Sequence, residues 1–151
     1  MATTPLARDF KELLKSLNSA GVEYLVVGGY AVAYHGYPRT TNDLDVWVAV
    51  NPGNADRIVR ALREFGFDVP DLSPQMFLRP DRIIRMGLPP VRVELLTGVS
   101  GVGFQECWTE RIVDTLDDIE VNLINLRHLR ANKKASGRLK DLSDLENLPE
   151  K

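Results

Sequence analysis

Apolar residues recur along this chain with two different periods. Leu6, Phe10, Leu13, Leu14 and Leu17 fall at helical spacing, so a first helix is expected from about Pro5 to Asn18, with Gly21 ending it. Glu23 to Val27 reads as a buried strand that runs into Gly28-Gly29. A short helix from about Tyr30 to His35 should follow, closed by Gly36 and kept short by Pro38. The period then changes to two. Leu44, Val46, Val48 and Val50 alternate with Asp43, Asp45, Trp47 and Ala49, which predicts a strand over Asp43 to Val50 with both aspartates on one face. After Asn51-Pro52, a helix over Asn54 to Phe65 would turn Ile58, Val59, Leu62 and Phe65 inward and stop at Gly66.

The second half is less regular. Arg82 to Met86 and Val91 to Leu96 read as two strands around Gly87-Leu88-Pro89-Pro90, with Arg92 and Glu94 sharing a face opposite Val91, Val93 and Leu95. A short helix over Phe104 to Thr109 and a strand over Ile119 to Ile124 follow. Asn125 can cap a helix to about Ala135, and a last helix is expected from Lys140 to Leu148.

These elements fill 151 residues, which suits one domain over 1–151. With 44% hydrophobic and 26% charged residues, the chain can bury a sizeable core without disulfides or structural metal. Cys107 is the one cysteine, so no internal disulfide can form, and a reducing, cytoplasmic setting is expected. The N-terminal sequence lacks the apolar core of a signal peptide, and no apolar run is long enough to span a membrane. A net charge of -2 argues against a general nucleic-acid coat. The basic residues of the segment from Arg127 to Lys140 nevertheless contrast with the acidic middle of the chain.

The candidate chemistry centres on Asp43-Leu44-Asp45. Carboxylates at i and i+2 on a strand sit about 6.6 Å apart, at ~3.3 Å per residue, and project the same way. Mg²⁺ prefers such hard oxygen donors and needs only one or two carboxylates beside phosphate oxygens. Alone, the tripeptide is better read as a solvated strand face. Its valine-rich strand argues for burial, where unpaired carboxylates are costly and call for a cation. Val26-Val27-Gly28-Gly29-Tyr30 offers a tight strand-to-helix turn with accessible backbone N–H groups. It is neither a Walker loop nor a dinucleotide fingerprint.

Taken together, GVEYLVVGGYAVAYHGYPRTTNDLDVWV resembles the signature segment of the nucleotidyltransferase superfamily. In that family a Gly-Gly or Gly-Ser turn precedes a short helix and an Asp-x-Asp strand. The resemblance implies an α/β (α+β) fold with a mixed β-sheet flanked by helices, and transfer of a nucleotidyl group from a nucleoside triphosphate to a hydroxyl. It places Gly28 and Gly29 under the phosphates and Asp43 and Asp45 on two Mg²⁺ ions. Arg39 or Thr41, in the approach to the strand, would touch phosphate.

The family's third carboxylate falls on Glu94, where the small bacterial branch more often has Asp. Glu94 would share a metal or act as general base for the acceptor, and its bland reading is an ion-pair partner of Arg92 or Arg85. The run NKKASGRLKDLSDLENL also resembles that branch. There Lys133 or Lys134 would neutralise triphosphate charge, Lys140 being the weaker choice, and Asp141 and Asp144 could cap a helix or pair with Arg138.

The implied function is a Mg²⁺-dependent, cytoplasmic nucleotidyltransferase that uses ATP or another NTP, with an RNA, protein or small-molecule acceptor. Small relatives include toxin–antitoxin components. The length leaves little room for an acceptor domain, so a homodimer or an antitoxin partner could complete the site. The alternatives are a catalytically weak or inactive nucleotide- or partner-binding module of the same fold, and a purely structural domain. His35 is expected to be structural, His128 to lie on the surface, and Phe104 and Trp108 to be core or interface. No His/Cys set has zinc-site spacing.

Overall fold

The computed structural model describes residues 7–38, 41, 43–67, 70–88 and 91–150. The helices are α1 (Arg8–Ser19), α2 (Gly28–Tyr34), α3 (Pro52–Phe65), α4 (Phe104–Thr109), α5 (Leu126–Ser136) and α6 (Leu139–Asn147). The strands are β1 (Tyr24–Val27), β2 (Asp43–Val48), β3 (Ile83–Leu88), β4 (Val91–Leu96), β5 (Ile112–Leu116) and β6 (Ile119–Leu123). They form one mixed sheet in the order β3-β4-β2-β1-β6-β5. β2 runs parallel to β4 and β1 parallel to β6, while the other neighbouring pairs are antiparallel.

The period-two pattern sorts side chains to the two faces of this sheet. Tyr24, Val26, Leu44, Val46, Val48, Val93 and Leu95 pack on one face against Phe10, Leu13, Leu14 and Leu17 of α1 and Ile58 and Leu62 of α3. Full burial of each such side chain is worth roughly 1.5–3 kcal/mol, so the apolar stripe of α1 alone anchors that helix. Leu25, Val27 and Trp47 face the other way, into a second cluster with Ala31 and Val32 of α2 and Leu129 of α5. Asp43, Asp45, Arg92 and Glu94 share this second face by the same alternation.

Element boundaries follow local chemistry. α3 begins at Pro52, two residues before the expected Asn54, because the Asn51 side chain accepts the Asn54 N–H at 2.8 Å and proline suits the first helical position. Asn54 is itself fully buried, and its side chain bonds the backbone of Glu23 and Ala49, which ties α3 to the ends of β1 and β2. The sequence reading missed β5. It pairs with β6 through the two-residue turn Asp117-Asp118, whose φ angles of 54° and 68° are those of a type I′ hairpin. No helix among the described residues is long and apolar enough to cross a membrane.

Candidate active site

The site lies where β1 ends and β2 and β4 begin. Antiparallel pairing sets Val27 against Asp45, and parallel pairing sets Asp45 against Glu94 and Asp43 against Arg92. The chain leaves β1 through Gly28, which adopts φ +67°. A Cβ there would lie 2.0 Å from Asp45 Oδ2, so only glycine lets this turn approach the carboxylate. At Gly29 a Cβ would meet Thr41 Oγ1 at 2.6 Å. The glycine pair is therefore a close-approach device between the start of α2 and the entrance to β2. Thr41 donates its hydroxyl to the Asp43 carbonyl at 3.2 Å. Arg39 lies outside the described residues.

Cations answer the acidic cluster unevenly. Both Asp43 oxygens accept from Arg92, at 3.1 Å from Nε and 2.9 Å from Nη2, a bidentate pair. Glu94 pairs with Arg85 across the β3–β4 ladder at 3.3 Å. Burial pushes the Asp45 carboxyl up to about 7, and the neighbouring charges of Glu94 and Asp43 push the same way; Lys140 and Lys133 act against them. Asp43, Asp45 and Glu94 thus crowd negative charge onto one face, with the hard oxygen donors that Mg²⁺ takes. Their oxygens are not gathered within 4.8 Å of one another, since Arg92 and Arg85 hold two of the three. Arg92 engages both Asp43 oxygens, so a cation shared through Asp43 competes with Arg92, while Arg85 engages one Glu94 oxygen.

Gly28, Gly29 and Asp45 line a cleft of about 530 Å³. Ser100, Asn132, Arg138 and Lys140 line the same cleft, as do Asp81 and Asp141. The placement of Ser100 and Asn132 depends on another close approach: at Gly101, φ +80°, a Cβ would lie 2.3 Å from Ala135 Cβ, and Asn132 donates to the Ser100 carbonyl at 2.9 Å. A larger hollow, about 800 Å³, involves Arg8, Glu12, Glu64 and Phe65, away from the carboxylates, and the chemistry does not follow it.

The lysines divide sharply. Lys133 is buried, with Nζ 2.9 Å from Asp141 and 3.1 Å from Asp144. Burial would raise the Asp141 carboxyl, but bonds from Ser136, Lys133 and Arg138 outweigh it and hold the group at about 2. Lys133 therefore borders the cleft as the centre of an α5–α6 clamp. Lys134 is exposed and does not line the cleft, whereas Lys140 is exposed, lines it, and bears electrostatically on Asp45. Sequence reasoning had not singled out Ser100 or Asn132. The signal for them is the small-residue loop around Gly101, which is legible only once α5 is known to lie against it.

No family model and no curated protein matches this sequence. Solved structures do. A proposed nucleotidyltransferase from Thermotoga maritima superposes with TM-score 0.60 at 15% identity, covering 92% of this chain and 89% of the other. An antigenic nucleotidyltransferase-like protein from Paracoccidioides brasiliensis gives 0.53 at 17%, over 95% and 76%. The lincosamide antibiotic adenylyltransferase LnuA, in its lincomycin-bound form, gives 0.55 at 11%, over 96% and 97%. The chain has the nucleotidyltransferase fold. Within that fold, the Gly28-Gly29 turn and the Asp43-x-Asp45 strand are adjacent in space as well as in sequence.

Two histidines fare differently from one another. His35 is structural, as expected, with Nε2 2.8 Å from the Ile124 carbonyl. The surface placement expected of His128 is wrong: it is 2% exposed. Its neighbours Arg127 and Arg130 suggested a solvated face, but His128, Leu129 and Lys133 form the inward stripe of α5.

Proposed function

We propose that this protein is a divalent-metal-dependent nucleotidyltransferase that moves an NMP group from an NTP to an acceptor hydroxyl. The observation that carries this reading is the placement of Asp43, Asp45 and Glu94 on one sheet face, with Asp45 against Gly28 in a cleft that Arg138 and Lys140 also line. Asp43, Asp45 and Glu94 would hold Mg²⁺, which supplies charge neutralisation to the transferring phosphate when bound. Gly28 and Gly29 leave room for the triphosphate beside Thr41. Lys140 and Arg138 line the cleft that the phosphates would enter, and Lys133 positions that lining through Asp141 and Asp144.

In the proposed reaction the acceptor oxygen bonds to the α-phosphorus, the bond to the β-phosphate oxygen breaks, and pyrophosphate leaves. The hydroxyl proton passes to Glu94, or to solvent water where Glu94 shares the cation. Catalysis of this kind is mainly positioning and electrostatic stabilisation. The acceptor would be an RNA, protein or small-molecule hydroxyl, and a second copy or an antitoxin partner would supply any missing wall. LnuA, as a lincomycin-bound adenylyltransferase, is an example of the small-molecule class on this fold.

A second reading is a nucleotide-binding module without turnover. It is favoured by the arginines that already satisfy Asp43 and Glu94. Calorimetric titration with each NTP and Mg²⁺, beside an Asp43→Ala/Asp45→Ala control, tests both readings. Mg²⁺-dependent binding lost in the control is expected. Binding without pyrophosphate release across an acceptor screen would select the module, and no binding by folded protein would refute both.

A further inference from the structure

Between α4 and α5, among residues that do not line the carboxylate cleft, three ligand-type side chains meet. Glu106 and Cys107 come from α4 and His128 from the first turn of α5, and one ligand atom from each lies within 4.8 Å of the others. This is the one grouping of that kind among the described residues. Cys107 is fully buried and His128 is 2% exposed, and neither His128 ring nitrogen has a hydrogen-bond partner. A buried imidazole with both nitrogens unsatisfied is costly and requires an explanation.

An ion pair does not provide one. His128 Nε2 lies 3.6 Å from Glu106 and 3.9 Å from Glu110. An imidazolium between two glutamates would close to about 2.7–2.9 Å, the distance of charge-assisted hydrogen bonds. Ligands around one tetrahedral cation behave differently. With bonds of about 2.0–2.3 Å, their atoms sit roughly 3.3–3.8 Å apart. The 3.6 Å between His128 Nε2 and Glu106 is too long for a hydrogen bond and falls in the range a shared cation imposes, and the Cys107 ligand atom lies within 4.8 Å of both.

We propose that Cys107 Sγ, His128 Nε2 and a Glu106 carboxylate oxygen form a site for a borderline-soft divalent cation, with Zn²⁺ as the best match and Glu110 within reach of the fourth position. Sulfur, imidazole and carboxylate together suit Zn²⁺ and exclude Mg²⁺, so this site is chemically separate from the aspartate cluster. Glu106 and Glu110 are half-exposed or more, which gives the ion an entry path past the buried thiol and imidazole. Binding would displace the Cys107 thiol proton, so affinity should rise with pH. Occupancy would pin α4 to α5, the helix that carries Asn132 and Lys133 to the cleft.

Co²⁺ is the probe, because its thiolate complexes absorb in the near ultraviolet. Chelator-treated full-length protein is expected to develop a thiolate-to-cobalt charge-transfer band that saturates at one ion per chain and is displaced by Zn²⁺. Cys107→Ser should abolish the band. His128→Gln should weaken binding by more than the roughly 10–100-fold that loss of an outer-shell partner costs. Glu106→Gln, at an exposed position that spares the fold, should weaken it as well, while Asp43→Ala/Asp45→Ala should leave it intact. Folded wild-type protein that shows no such band at saturating Co²⁺ would overturn the proposal, whatever the buried-site variants do. A band insensitive to Glu106→Gln and His128→Gln would overturn the ligand set.

Discussion

Replacing Asp45 with asparagine probes the electrostatic centre of the candidate site. The carboxyl has an ordinary value of 3.8 and stands at about 7 in the fold, through burial first and then the charges of Glu94 and Asp43. A folded-state value above the unfolded one means that folding takes up a proton between the two. Asp45 therefore costs nothing below about pH 3.8, erodes stability as pH rises through the interval to about 7, and adds a constant penalty above it. One pH unit of separation corresponds to about 1.4 kcal/mol, so the ionised carboxylate costs the metal-free fold up to roughly 4 kcal/mol.

An amide of the same shape carries no charge. Asp45→Asn is thus expected to gain on the wild type between pH 4.5 and pH 8 by about 2–3 kcal/mol, an order-of-magnitude figure from the same linkage. Urea unfolding at both pH values, with chelator present, measures this. Saturating Mg²⁺ should narrow the gap at pH 8 by stabilising the wild type more than the variant, which keeps only Asp43 and Glu94 of the three carboxylates. The same substitution should abolish Mg²⁺-dependent nucleotide binding, a gain in stability at the expense of function. An equal stability difference at both pH values would refute the reasoning, since Asp45 would then not be the group that buries its charge at a cost.

Gly28→Ala places a methyl group 2.0 Å from Asp45 Oδ2 at φ +67°, so a loss of at least ~1 kcal/mol from the backbone alone, with loss of nucleotide binding, should appear in thermal melts and calorimetry. Gly103→Ala, which meets nothing within 4 Å, should leave both nearly unchanged. Lys133→Ala strips a buried partner from Asp141 and Asp144 and should cost about 3–5 kcal/mol in urea unfolding, whereas exposed Lys134→Ala should stay within about 0.5 kcal/mol.

Elements whose amphipathic period is set by their own burial were legible in the sequence. α1, β2 and the body of α3 each repeat an apolar position against one sheet face, so their type follows from spacing alone. β5 escaped because Val113, Asp114 and Thr115 are all exposed, and because its hairpin turn uses Asp117-Asp118 where Asn-Gly or Asp-Gly would have announced it. The glycine and aspartate half of the site was legible for a related reason. It is built from one contiguous segment, and β1–β2 pairing brings its ends together. The basic half was not, since it needs the Gly101 loop to meet Ala135 and α6 to fold back on α5. One residue of helical phase, about 100° of rotation, separates buried Lys133 from exposed Lys134, and spacing could not choose between them.

Charge compensation links these partial readings. Carboxylates on a buried strand demand cations, and the fold supplies them at two ranges. Arg92 and Arg85 meet Asp43 and Glu94 at hydrogen-bond distance, while Lys140 and Lys133 act on Asp45 at longer range. Short-range partners fix geometry, and exchange of Arg92 for a divalent cation releases a guanidinium group whose charge must then be met. A polyanionic triphosphate entering with the cation would meet it, while a bare cation would leave the site with excess positive charge. The proposed activity therefore carries a linkage of its own: NTP and Mg²⁺ should bind with positive coupling, and by reciprocity each should tighten the other by the same factor.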